Sequence, residues 1–213
     1  MAQNRSSAVM QQRQVNKDGR DDFPTPPWAT RALCEWLIEA GYKLHRSNCR
    51  EPAVGRGHMA RTLAERFSHV DGSDLYDYGA GYRLSNYVTD LDTFGPAHWT
   101  ITNPPYKLAE EFIHTALRNS IDGVAVLVRT AFLEGKGRHA RLFTKTPPTD
   151  ILQFVERVVI HEGKLSARGS TATAYCWVIW RKNSDQTAPR FQWIEPKRKR
   201  LERDGDYAEG STP

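Results

Sequence analysis

The chain has 213 residues, with 30 Lys and Arg against 25 Asp and Glu and a net charge of +5. That length holds one well-packed domain and is short for two, and the basic balance suits a polyanionic partner such as nucleic acid. Cys34, Cys49 and Cys176 are odd in number and form no Cys-x-x-Cys or Cys-His grouping, which argues against a disulfide framework and a zinc site. No apolar run reaches membrane-spanning length and the polar start has no apolar signal segment, so a cytoplasmic protein with no membrane partner is expected.

Residues 1–20, rich in Gln, Asn, Ser and Arg without apolar periodicity, are expected to be a flexible arm. A single domain is expected over 21–195 and a polar, disordered tail over 196–213, whose run Lys197-Arg198-Lys199-Arg200 is either solvated or bound to DNA. Within the domain, apolar residues at Trp28, Ala29, Ala32, Leu33, Trp36, Leu37 and Ala40 predict a helix that stops at Gly41. Thr25 is its expected N-cap and Pro26 its first helical residue.

A short strand ending at Cys49-Arg50 leads into Glu51-Pro52-Ala53-Val54-Gly55-Arg56-Gly57 and a helix carrying Met59, Ala60, Leu63, Ala64 and Phe67 on one side. Gly-x-Gly lacks the third glycine of a pyrophosphate-binding turn, and an acid at the strand end suits a cationic ligand better. His69 to Leu75 predicts a second strand that delivers Asp74, rather than Asp71, where a carboxylate would hold ribose hydroxyls. Tyr87 to Leu91 is expected to repeat that geometry, as a strand ending at Asp90.

The strand through Trp99-Thr100-Ile101-Thr102 must turn at Asn103-Pro104-Pro105-Tyr106, because paired prolines cannot continue a central strand or a helix. An exocyclic amine on a nucleobase is a poor nucleophile because its lone pair is conjugated into the ring. The Asn103 amide oxygen and the Pro104 carbonyl could accept its two N–H bonds and favour a pyramidal nitrogen, while Tyr106 offers a flat face for an extruded base. Leu108, Phe112, Ala116 and Leu117 then mark a helix, and Val124 to Val128 a central parallel strand. A flexible basic loop with Lys136, Arg138, Arg141 and Lys145 follows. Ile151–Ile160 and Ala174–Trp180 predict the sixth and seventh strands, the last antiparallel, around a loop bearing Lys164 and Arg168. Arg190-Phe191-Gln192-Trp193 is a candidate docking point.

The tetrapeptide resembles motif IV, (Asp/Asn)-Pro-Pro-(Tyr/Phe/Trp), of the S-adenosylmethionine (SAM)-dependent amino-methyltransferases. Glu-Pro-Ala-x-Gly-x-Gly is similar to their motif I, and Thr-Pro-Pro to their motif X. In this order they resemble small phage or prophage DNA adenine-N6 methyltransferases. The resemblance implies an α/β, Rossmann-like, seven-stranded mixed sheet with an antiparallel last strand and helices on both faces. It implies SAM held by Thr25, Pro26, Trp28, Glu51, Ala53, Gly55, Gly57, Asp74, Leu75, Asp90, Leu91 and Asn103, and catalysis at Asn103, Pro104, Pro105 and Tyr106 on an adenine flipped from double-stranded DNA. Lys136, Arg138, Arg141, Lys164 and Arg168 are the expected phosphate contacts. No metal is expected. No separate target-recognition domain is evident, so short or relaxed specificity is expected unless a homodimer adds readers. An RNA adenine or protein glutamine acceptor, or a catalytically inactive nucleic-acid-binding module, would share most of these features.

Overall fold

The computed structural model describes residues 20–90, 94–169 and 171–208, so the expected arm lies outside the described residues except for Arg20. One eight-stranded sheet runs through it in the order β3-β2-β1-β4-β5-β7-β6-β8. The strands are β1 (Asn48–Glu51), β2 (His69–Asp74), β3 (Arg83–Leu84), β4 (Ala97–Thr102), β5 (Ser120–Arg129), β6 (Asp150–Phe154), β7 (Tyr175–Arg181) and β8 (Arg190–Ile194). Only β7 runs against its neighbours, lying between β5 and β6. The helices are α1 (Pro27–Glu39), α2 (His58–Ala64), α3 (Ala109–Asn119), and the short α4 (Lys136–Arg138) and α5 (Arg198–Leu201).

The apolar run in β5 explains the layering, since successive side chains leave opposite faces of a strand. Ala125 and Leu127 join the core under α1 and α2 with Trp28, Leu33 and Leu63, and Val124, Val126 and Val128 join the core under α3 with Phe112 and Ile113. Both faces are therefore covered, and the strand ends are left to build a site.

Five local expectations change. Helix α1 starts at Pro27 with an extended Pro26 as N-cap, and Thr25 makes no capping bond because its hydroxyl is turned to Asn103. Tyr87 to Asp90 is a turn, not a strand. There Asn86 Oδ1 accepts from Val88 N at 3.1 Å and Asp90 Oδ2 from Asn86 N at 2.8 Å, so side chains take the amides a ladder would need. Tyr87 is instead buried edge-on against Phe94, and the third strand position goes to the two residues of β3. The expected basic loop is helical through α4 and a single π-type turn, His139–Phe143. β6 stops at Phe154, and Val158, Val159 and Ile160 are buried from irregular chain.

The fifth change is at the C-terminal end. The docking segment is edge strand β8, parallel to β6, and the chain beyond it packs on the domain as far as Asp206. Arg31 on α1 is the reason: its buried guanidinium donates to Asp206 at 2.7 Å, to Glu65 at 2.7 Å and to the Leu201 carbonyl at 2.6 Å. A buried cation needs such acceptors, and the terminal segment supplies two of them. The charge run is also paired, Lys197 and Arg200 with Glu35 and Arg198 with Glu202.

Candidate active site

The carboxyl ends of β1, β2 and β4 converge, which brings Glu51, Asp74 and Asn103 to one cavity of about 170 Å³. Thr25, Ala53, Gly55, Leu75 and Pro105 also line it. Glu51 is 1% exposed. Its Oε1 accepts from the Thr102 hydroxyl at 2.5 Å and Ala53 N at 3.2 Å, while Oε2 has no partner. Burial pushes this carboxyl well above the usual range, and the two hydrogen bonds only partly offset it. Asp74 accepts from Gly55 N at 2.9 Å and Tyr76 N at 3.0 Å, and burial raises its pKa too. The loop needs its glycines for shape. Gly55 and Gly57 have φ of 53° and 82°, and a Cβ on Gly57 would fall 2.6 Å from the Tyr82 ring.

Asn103 is oriented by the segment before α1. Its Nδ2 donates to the Phe23 carbonyl at 3.0 Å and to Thr25 Oγ1 at 3.2 Å. A backbone carbonyl only accepts, so the amide nitrogen must face this segment and Oδ1 is left as the open acceptor. The segment is itself tied down. The Asp21 carboxylate accepts from Tyr106 N at 2.7 Å, the Asp22 carboxylate from Arg56 at 3.1 Å, and the Asp22 carbonyl from Gly163 N at 2.8 Å. Pro104 is buried, and Tyr106 is 47% exposed with the Arg129 guanidinium 5.6 Å from its ring centroid.

Several expected site residues do other work. Trp28 is a core side chain, 1% exposed and edge-on to Phe154 at 5.3 Å, and Pro26 caps α1. Asp90 does not line the cavity, because its carboxylate is used inside its own turn by the Ser85 and Thr89 hydroxyls, each at 2.9 Å, and by Asn86 N. Those bonds, the Asn86 backbone first, hold its pKa below the usual range. Ser85 and Asn86 face the cavity in its place. Leu91 lies outside the described residues. Arg138 and Arg141 are paired with Glu110 at 3.4 and 2.9 Å, while Lys136, Lys164 and Arg168 are exposed.

The cavity also recruits residues the sequence reading passed over: His58, Tyr76, Tyr78 and Phe112. His58 directly follows the glycine loop and Tyr76 nearly follows Asp74, so adjacency to a loop was the available signal. Burial, and then Arg61, push the His58 pKa down to about 4. Arg61 Nη2 lies 3.1 Å from Nδ1, and a guanidinium only donates, so the neutral ring carries its proton on Nε2.

No protein-family model matches the chain, and no curated protein matches it in sequence. Solved structures do match it in fold. A methyltransferase subunit of a type I restriction-modification system from Streptococcus thermophilus superposes with a TM-score of 0.64 at 10% identity, over 81% of this chain and 47% of that one. A Listeria monocytogenes protein described as a class I SAM-dependent methyltransferase gives 0.58 at 13%, over 80% and 64%. A Vibrio vulnificus protein described as the modification subunit of a type I restriction enzyme gives 0.58 at 15%, over 81% and 47%. The chain thus spans between about half and two thirds of these relatives. Its eight-stranded sheet, one more strand than expected and parallel but for β7 between β5 and β6, matches SAM-dependent methyltransferases in fold.

Proposed function

We propose that this chain transfers a methyl group from SAM to the N6 amine of adenine in DNA, with short or relaxed sequence specificity. The observation that carries the reading is the orientation of Asn103, whose amide nitrogen is fully engaged and whose Oδ1 takes no hydrogen bond among the described residues. An acceptor held at a strand end beside a cavity suits an N–H donor that must be oriented and made nucleophilic. The donor set of the cavity fits SAM. The unpartnered Oε2 of buried Glu51 answers a cationic amine, the Asp74 carboxylate answers ribose hydroxyls, and Tyr76, Tyr78 and Phe112 supply apolar walls. SAM carries an already activated methyl group on its sulfonium, so the protein needs only to bind, orient and exclude water. Asn103 Oδ1 and the Pro104 carbonyl accept the two amine N–H bonds, and Tyr106 stacks on the flipped ring.

DNA is supported by the net charge and by the exposed Lys136, Lys164 and Arg168. No helix among the described residues is long and apolar enough to cross a membrane. Mass spectrometry of nucleosides from DNA incubated with protein and SAM tests the reading, and N6-methyldeoxyadenosine is expected. Methyl groups found only in RNA or on protein glutamine would move the acceptor. DNA binding indifferent to SAM, with no transfer, would mark an inactive module. A map of methylated adenines across a plasmid tests specificity: one long strict motif would reveal a recognition element that these loops do not account for.

A further inference from the structure

A second, smaller opening meets Asn103 on the other side of the tetrapeptide, walled by Tyr106, Leu127, Phe132 and Tyr175 and bordered by Arg129. Arg129 is the last residue of β5, held in register opposite Tyr175 of β7. Its guanidinium lies over the Tyr106 ring, and its Nε is buried without a hydrogen-bond partner. Among the described residues it forms no ion pair, whereas Arg31, Arg50 and Arg181 each donate to a carboxylate. An unanswered buried N–H is unfavourable and calls for an explanation. Arg50 Nη1 and Arg138 Nε lack a hydrogen bond too, but of the three only Arg129 borders the opening beside the tetrapeptide, where a ligand can bring the acceptor.

The two polar groups of this slot are chemically opposite. Asn103 Oδ1 can only accept, because the amide nitrogen is committed to Phe23 and Thr25, and the guanidinium of Arg129 can only donate. Asn103 follows the last residue of β4 and Arg129 ends the neighbouring β5, which runs three residues past its last pairing with β4, Thr102 opposite Val126, so the two border the same slot from different heights. Their complement is an edge with an amine donor beside a conjugated acceptor atom. A phosphate does not fit, since it has no N–H for Asn103 and would lose its water against Leu127 and Phe132.

We propose that Arg129 reads the ring nitrogen adjacent to the acceptor amine, N1 of adenine, and is thereby a specificity-determining residue. This rests on the acceptor assigned above. The Arg129 guanidinium, 5.6 Å from the Tyr106 ring centroid, also borders the place where the base would lie.

The test compares methyl transfer to duplexes carrying adenine, 1-deazaadenine or 7-deazaadenine at the target, by the native protein, Arg129→Met and Arg129→Lys. For the native protein, kcat/KM on 1-deazaadenine is expected to fall about tenfold or more, as for a lost hydrogen bond to a charged group, with 7-deazaadenine little changed. Arg129→Met is expected to lose a similar factor on adenine and to treat adenine and 1-deazaadenine alike, with SAM affinity from calorimetry unchanged within about twofold. Arg129→Lys, which keeps a donor, is expected to recover part of the discrimination. Undiminished discrimination by Arg129→Met overturns the assignment. So does an equal loss on all three duplexes with a shallower salt dependence, the signature of a phosphate contact. A native protein that methylates glutamine but no adenine would instead overturn the acceptor, and the N1 contact with it.

Discussion

On the β1–β2 side of Asn103 the cavity holds about 170 Å³ and is walled by carboxyls, while on the β5 side the slot beside Tyr106 holds about 10 Å³ and is bordered by a guanidinium. The larger site is made by strand ends held in the sheet ladder and by a glycine loop tied to β2 through the Gly55–Asp74 bond. The smaller one takes its walls from the end of β5, the 3-10 turn that follows it, the start of β7 and the turn at Tyr106. The larger cavity has room for a ligand as it stands, whereas the smaller one admits a base only as the Tyr106 ring, 47% exposed, gives way. Asn103 lines both.

The sharpest way to break this division is Asn103→Ala. Loss of an acceptor aimed at the reacting nitrogen should remove about 3 kcal/mol or more of barrier lowering, read in single-turnover transfer, while SAM affinity by calorimetry stays within a few-fold. Near-native turnover would show that the two sites do not meet there. On the cofactor side, Asp74→Ala should weaken SAM binding by about 1.5 to 3 kcal/mol, the range for a hydrogen bond to a charged acceptor. Unchanged affinity would move the ribose contact to another residue.

The pH dependence probes the same side. Burial raises the Glu51 pKa above its unfolded value, so the stability associated with its protonated form is complete below the ordinary glutamate range and is lost as pH rises through the raised pKa. If SAM binds the ionised form, binding releases a proton, and affinity should climb by up to about tenfold per pH unit until Glu51 is ionised without ligand. Calorimetry in buffers of different ionisation enthalpy detects that proton, and Glu51→Gln should abolish it. A native protein that releases none would remove Glu51 from the cationic end.

Smaller effects sharpen how the acceptor side is held. Thr25→Val keeps the shape of the side chain and deletes one bond to Asn103, so the barrier that sets kcat should rise by about 1 kcal/mol with SAM affinity unchanged. An unaltered kcat would leave the orientation of the amide to Phe23 alone. Among the basic residues, Arg141 is engaged by Glu110 and Lys164 is not, so Lys164→Ala should flatten the salt dependence of DNA binding by about one phosphate equivalent and Arg141→Ala by less. Equal slopes would show that DNA displaces Glu110.

Much of this was determined by the sequence alone, where local physics decides. Paired prolines end a strand whatever surrounds them, so the turn at Asn103 was legible; the glycine loop after β1 and the acid at the end of β2 follow from the same kind of rule. The all-apolar β5 announced a strand covered on both faces. The tertiary structure decided what depends on competition for partners. Asp90 satisfies its own turn instead of facing the cavity, because neighbouring hydroxyls and amides lie closer than any strand partner. Glu110, on α3, engages two of the expected phosphate contacts, and no spacing in the sequence places α3 beside α4. The terminal basic segment packs because a buried Arg31 far upstream requires its acceptors. Arg129 drew no notice as the end of an apolar strand; its unanswered N–H exists only once β7 and the Tyr106 turn enclose it. Backbone preference is written into short stretches, but whether a charged side chain is left to meet a ligand depends on which opposite charge the fold brings within reach.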